Sequence, residues 1–228
     1  MFWLLLLCHF LADYPLQTDG MVCAKKRFTG LFMHVFVHFV TMLTLLRVIA
    51  ELEIKCSLIL ALSVSILHFG IDHWKNVLSG LRPAWVIFSY IQDQILHLIS
   101  IALVAFIYSQ YAQTKALQID FLMIFYAIGL IIVTHFWFVT ERVFATKNPT
   151  KLQWINNSMW PRMMSRGMFY GVLFTTDLFS GLVLCAGSVI VVWNDLQAEK
   201  RMDILSFDLG GTIILMSFIG YFGEQFFK

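Results

Sequence analysis

Four pairs of ligand-type side chains stand out in the first hundred residues: His9 with Asp13, His34 with His38, His68 with Asp72, and Asp93 with His97. Each pair is spaced i, i+4, which on a helix puts both side chains on one face, a turn apart. Carboxylates and neutral imidazoles projecting inward from facing helices are the donors of dinuclear metal sites in helical bundles. A single histidine of this kind reads most simply as a hydrogen-bonded contact between helices. Four repeated pairs are harder to satisfy that way, because every buried imidazole and carboxylate needs a partner. His9, Asp13, His34, His38, His68, Asp72, Asp93 and His97 are therefore candidate ligands, and the expected cofactor is a pair of divalent ions of Zn, Mn or Fe. Asp93 and Asp72 are also the candidates for a catalytic general base.

The pairs repeat. His9-Phe10-x-x-Asp13 matches His68-Phe69-x-x-Asp72, and 25 positions separate His9 from His34 as they separate His68 from Asp93. His38 and His97 obey the same offset of 59 residues. Two helix pairs so related run the same way across the bundle, with a pseudo-two-fold axis along the membrane normal. Polar neighbours complete the pattern. Gln17, Asp19, Lys26, His73, Lys75 and Gln94 are candidates to orient the ligands or to hold an anionic substrate head group. Lys25 and Arg27 read as ordinary charges of an inner-face loop.

The elements that carry these residues must be membrane helices. Of 228 residues 59% are hydrophobic and 13% charged, with 22 Phe, and the mean hydropathy is +0.77. A soluble domain of this size cannot hide so much apolar surface. Apolar runs near 2–17, 28–50, 56–74, 84–112, 119–140, 168–194 and 207–226 predict an all-α polytopic bundle of about seven helices. An N-out, C-in arrangement puts eleven of the 16 Lys and Arg residues inside, as the positive-inside rule requires. The His/Asp stripes then lie in the inner half of a four-helix core. That core is expected over 1–112, with repeat units of about 1–55 and 56–112, and the remaining membrane helices over 113–228.

The net charge of +2 argues against a nucleic-acid partner. Cys8, Cys23, Cys56 and Cys185 form no CxxC pair and read as free thiols. The start of the chain lacks a basic region and a small-residue cleavage site, so it makes a poor signal peptide. The stretch from Thr146 to Gly167 mixes Trp154 and Trp160 with Lys151, Arg162 and Arg166, and reads as a connecting loop anchored at the inner interface.

His9-Phe-Leu-Ala-Asp13-Tyr-Pro-Leu-Gln17-Thr-Asp19, His34, His38, His68-Phe-Gly-Ile-Asp72-His-Trp-Lys75 and Asp93-Gln94-x-x-His97 together resemble a bacterial family of uncharacterised membrane proteins, a domain of unknown function numbered 3307. The resemblance covers roughly residues 2–110. Tyr14 stands where that family is expected to favour Phe. The family implies no established activity, and it places the chain in the bacterial inner membrane. A weaker likeness, to inner-membrane proteins described as metal-dependent hydrolases, implies hydrolysis by analogy.

The second half carries fewer signals. His135 reads as a hydrogen-bonded interhelical histidine, Asp177 as a buried acid that joins the site or pairs with an arginine, and Gly210 and Gly211 as a close-packing point. The leading expectation is a membrane-embedded metal-dependent hydrolase acting on a lipid or lipid-linked phosphate or ester. The alternatives are a metal-ion or proton translocator, a haem-bearing electron carrier, and a non-catalytic subunit with a structural metal.

Overall fold

The structure is a computed structural model, described over residues 1–111, 121–198 and 202–227, and every described element in it is helical. Lys115, Asp120, Glu199, Lys200, Arg201 and Lys228 lie outside the described residues, so their part in the orientation argument has no structural counterpart. The chain forms two compact units, Met1–Ile124 and Phe125–Lys228. Their boundary falls later than the 112/113 boundary expected from the sequence.

Unit 1 holds α1 (Phe2–Asp13), α2 (Asp19–Ala24), α3 (Phe28–Val48), α4 (Ile54–Leu81) and α5 (Val86–Tyr111). α1 is a run of leucines, with Leu4 to Leu7 buried. It stops at Tyr14, since Pro15 has no amide hydrogen to continue the ladder. Thr18 then caps the short α2 by accepting from the Met21 amide at 3.3 Å. On α3 the buried positions are Leu31, His34, His38, Met42 and Leu46, one stripe at helical spacing. The opposite face shows Phe32, Met33, Phe36 and Val40. α4 and α5 repeat this inverted pattern, with histidine and aspartate inside and Ile66, Leu67, Ile95 and Ile99 outside. An apolar exterior around a polar interior needs lipid as its solvent.

α1 packs against α3 and α5, and α4 packs against α3 and α5, so the four long helices close into a ring. Repeat mates lie opposite one another in this ring, α1 across from α4 and α3 across from α5. That is the arrangement the 59-residue repeat requires of a two-fold axis.

Unit 2 holds most of α6 (Phe121–Ile131), a π-helical turn (Ile132–Phe136), α7 (Trp137–Phe144), α8 (Pro149–Asn157), α9 (Met159–Gly171), α10 (Leu178–Ala198) and α11 (Met202–Phe227). α9 packs against α10, α11 and the π-turn. Gly211 lies flat on the Trp137 ring, where a Cβ would collide with it. Gly210, its neighbour, faces open space.

Among the described residues, four helical stretches are long and apolar enough to cross a membrane: Phe28–Val48, Ile54–Leu81, Val86–Gln110 and Phe121–Phe144. The remaining three expected spans correspond to shorter apolar helices, Phe2–Asp13, Leu178–Trp193 and Phe207–Tyr221. The sixth run starts at Leu178 instead of residue 168, because residues 168–171 complete α9 and a break follows. Thr146–Gly167 is likewise no mere connecting loop. It folds into α8 and most of α9 and buries Trp154, Arg162 and Arg166.

Candidate metal centre

The eight candidate ligands converge in the C-terminal halves of α1 and α4 and on α3 and α5 up to their midpoints. All are buried, none more than 8% exposed. Asp13 Oδ1 lies 3.0 Å from His38 Nε2, 3.1 Å from His34 Nε2 and 3.8 Å from His68 Nε2. Its other oxygen lies 3.4 Å from His9 Nε2. The repeat mate, Asp72, faces His34 Nε2 at 3.4 Å, His68 Nε2 at 3.6 Å and His97 Nε2 at 3.7 Å. Asp93 Oδ1 lies 3.3 Å from His97 Nε2. The five imidazoles turn their Nε2 edges inward and pack ring on ring, His68 between His38 at 3.8 Å and His97 at 4.2 Å.

Three sets of donor atoms each lie within 4.8 Å of one another: His9, Asp13, His38 and His68; His34, His68 and Asp72; and Asp72, Asp93 and His97. The third set has a two-fold mate in Asp13, His34 and His38. Donors on one metal at bond lengths of about 2.0–2.2 Å lie about 2.8–3.6 Å apart, close to the spacings here.

Two lysines border the cluster. Lys25 Nζ lies 2.8 Å from Asp72 Oδ2 and 3.1 Å from His34 Nε2. Lys75 Nζ donates to Asp93 Oδ2 at 2.7 Å and lies 3.8 Å from Asp72 Oδ1. Lys25 is itself held at both ends. Its ammonium donates to Gln17 Oε1 at 3.2 Å, and its carbonyl accepts from Asn76 Nδ2 at 2.8 Å. Gln17 and Asn76 are separated by the same 59 residues as the ligands, so the repeat supplies one amide from each half. Gln17 also donates to the Asp13 carbonyl. Gln94 donates to Asp93 Oδ2 at 3.1 Å and accepts from the Tyr14 hydroxyl at 2.7 Å.

Of the residues expected around the ligands, Gln17, Lys75 and Gln94 are in place. Three are not. Lys26 and Asp19 are exposed on and beside α2. His73 is exposed and stacks on Phe69 with centroids 6.2 Å apart. The second lysine at the cluster is therefore Lys25, which the sequence pattern assigned to simple charge bias. Tyr14, read only as a departure from the family pattern, and Asn76 also contribute. The 59-residue offset from Gln17 was the signal available for Asn76.

Unit 2 contains a separate buried ion cluster. Arg162 grips Asp208 with two hydrogen bonds of 2.7 Å and Glu141 with one of 2.8 Å. Arg166 lies 3.5 Å from Asp208 Oδ1, and Arg162 lies over the Trp154 ring at 5.0 Å. These arginines are neutralised in the protein interior and cannot serve as inner-face charges. Asp177 is not the acid that pairs with them. It is exposed and caps α10, accepting from the Ser180 amide at 2.8 Å. His135 Nδ1 meets Thr134 Oγ1 at 3.0 Å, within the π-turn of its own helix.

A lipid-facing ring of helices around a buried His/Asp cluster defines a helical membrane protein with a polyvalent polar centre. Residues 1–128 match the family described as Protein of unknown function (DUF3307), and the chain belongs to it. No curated protein and no solved structure matches the chain.

Proposed function

We propose that unit 1 binds two divalent metal ions and works as a membrane-embedded hydrolase in the bacterial cytoplasmic membrane, with a lipid or lipid-linked phosphate or ester as substrate. The observation that carries this reading is the convergence of eight donors from four helices at donor-to-donor spacings of 3.0–3.8 Å. Asp13 Oδ1 and Asp72 Oδ2 each face several imidazole Nε2 atoms at once, more than one proton-sharing partner would require. Bound ions would take up these crowded carboxylate and imidazole donors and supply a polarised water for attack on an ester. Asp93 and Asp72, beside Lys75, would be the carboxylates to take a proton from such a water.

The same geometry disfavours the alternatives. Toward the other end the ring buries Met42, Leu46, Leu60, Val64, Ile101 and Val104, with Ser57, Ser65 and Ser100 as its polar groups, so no further carboxylate or imidazole carries the donor chain on for an ion. The Nε2 atoms of His34 and His68 are 3.0 Å apart, which leaves no room for a porphyrin between them.

The test is the metal content of detergent-purified protein, with Asp72→Ala and His34→Ala beside it, followed by turnover of lipid phosphate and lipid ester substrates with and without chelator. About two equivalents of Zn, Mn or Fe, lost in both variants, with chelator-sensitive turnover, is the expected result. Folded protein that takes up no metal on reconstitution overturns the reading. Metal without turnover of any such substrate leaves the structural-metal alternative in its place.

A further inference from the structure

We infer that the group taken by this centre is a phosphoryl anion, a phosphomonoester or a diphosphate, and that Lys25 and Lys75 are its binding residues. The inference rests on the two-metal reading and selects among the esters that reading allows.

The argument is one of charge. Asp13, Asp72 and Asp93 contribute three negative charges, and Lys25 and Lys75 contribute two positive ones. Metal-ligating imidazoles are neutral. The ion-free centre thus carries one net negative charge. Two divalent ions bring it to three positive, inside a ring whose walls are hydrocarbon. Uncompensated charge in such a place is costly. A hydroxide removes one unit and leaves two. A neutral carboxylic ester removes none of the remainder, whereas a phosphomonoester dianion removes both.

Position points the same way. The Lys25 ammonium now sits on Asp72 and His34, and the Lys75 ammonium on Asp93 and Asp72. These are the donor atoms that metal ions would claim. Once claimed, they leave both ammoniums without their anionic partners at the edge of the cluster. The lysine side chains are also its most open members, at 11% and 28% exposure, against 0–2% for His34, Asp72 and Asp93. Gln17 and Asn76 pin Lys25 from either end, so its ammonium is held at the mouth. Two fixed ammonium groups beside two cations form a seat for phosphate oxygens.

The experiment uses the full chain in detergent, loaded with Zn or Mn and verified for metal content. Orthophosphate is titrated in by calorimetry, for the parent and for Lys25→Met and Lys75→Met. Expected are binding by the metal-loaded parent, binding weakened at least tenfold in each variant, and unchanged metal content. Nanodiscs of phosphatidylcholine with 10 mol% phosphatidic acid provide a second arm. Competition with orthophosphate identifies a lipid headgroup as the source of the phosphate, and its absence identifies a soluble phosphate; both fit the inference. Metal-loaded parent that ignores orthophosphate, or variants that bind it as the parent does, overturn the inference and leave the metal reading standing. Failure to load metal overturns both.

Discussion

Asp72 meets more charged and ligand-type neighbours than any single hydrogen bond would require: Lys25, Lys75, His34, His68 and His97 all approach it within 3.8 Å. Removing one member of a buried charge network strands the others, at a cost of about 3–5 kcal/mol. Asp72→Ala should therefore lower unfolding stability in mixed micelles by about that amount, and added Zn should not restore it. Tyr14→Phe removes the hydroxyl that donates to Gln94 and should cost about 0.5–1.5 kcal/mol per hydrogen bond lost, with metal content unchanged in the same preparations. The eight clustered His and Asp residues were legible as one group in the sequence because i, i+4 spacing on a buried helix needs no tertiary knowledge. The lysine was not. Lys25 and Lys26 are adjacent in a basic loop, and only the packing of α2 decides which ammonium turns inward. Asp208 was hidden for a similar reason: nothing local to α11 marks it as the partner of an arginine on α9.

At the scale of elements, α2 depends on Gly30. A Cβ at that position would run into the Ala24 backbone at the end of α2, so the close approach of α2 to α3 needs a residue without one. Gly30→Val should push α2 outward, carry Lys25 away from Asp72, and weaken orthophosphate binding about as much as Lys25→Met does, while the ligands on α1, α3, α4 and α5 keep their metal. A second element-scale prediction concerns α10. Hydrogen bonds from Ser180 hold the Asp177 carboxyl below its ordinary pKa. A depressed folded-state value means that the cap contributes stability above the unfolded-state value, near about 3.9, and loses it as pH falls through the folded one. Amide exchange at Ser180, corrected for its intrinsic rate, should therefore speed up as pH falls from about 5 to about 3, and Asp177→Ala should abolish that dependence. The spans were legible where apolar runs were long. The sixth was misplaced because residues 168–174 are apolar without belonging to α10, and hydropathy is blind to the break that Asp177 caps.

At the scale of the molecule, the His/Asp cluster lies within residues 1–124, and the arginine cluster within 125–228. Arg162→Ala, which leaves Asp208 and Glu141 without their bidentate partner, should destabilise unit 2 by about 3–5 kcal/mol, yet the purified protein should hold as much metal as the parent. The parallel repeat was legible from arithmetic on the sequence, and the ring order is what the arithmetic could not supply. That ring has a consequence for synthesis. It is closed by α1 meeting α5, and Tyr14 must wait for Gln94, 80 residues further on. At about 5–20 residues per second, the ribosome takes about 4–16 s to make that stretch. Throughout that interval Asp13, His34, His38 and Asp72 reach the bilayer without the helix that completes their surroundings. A nascent chain of this kind must be sheltered at the insertion machinery, and its helices released to lipid as a set instead of one by one.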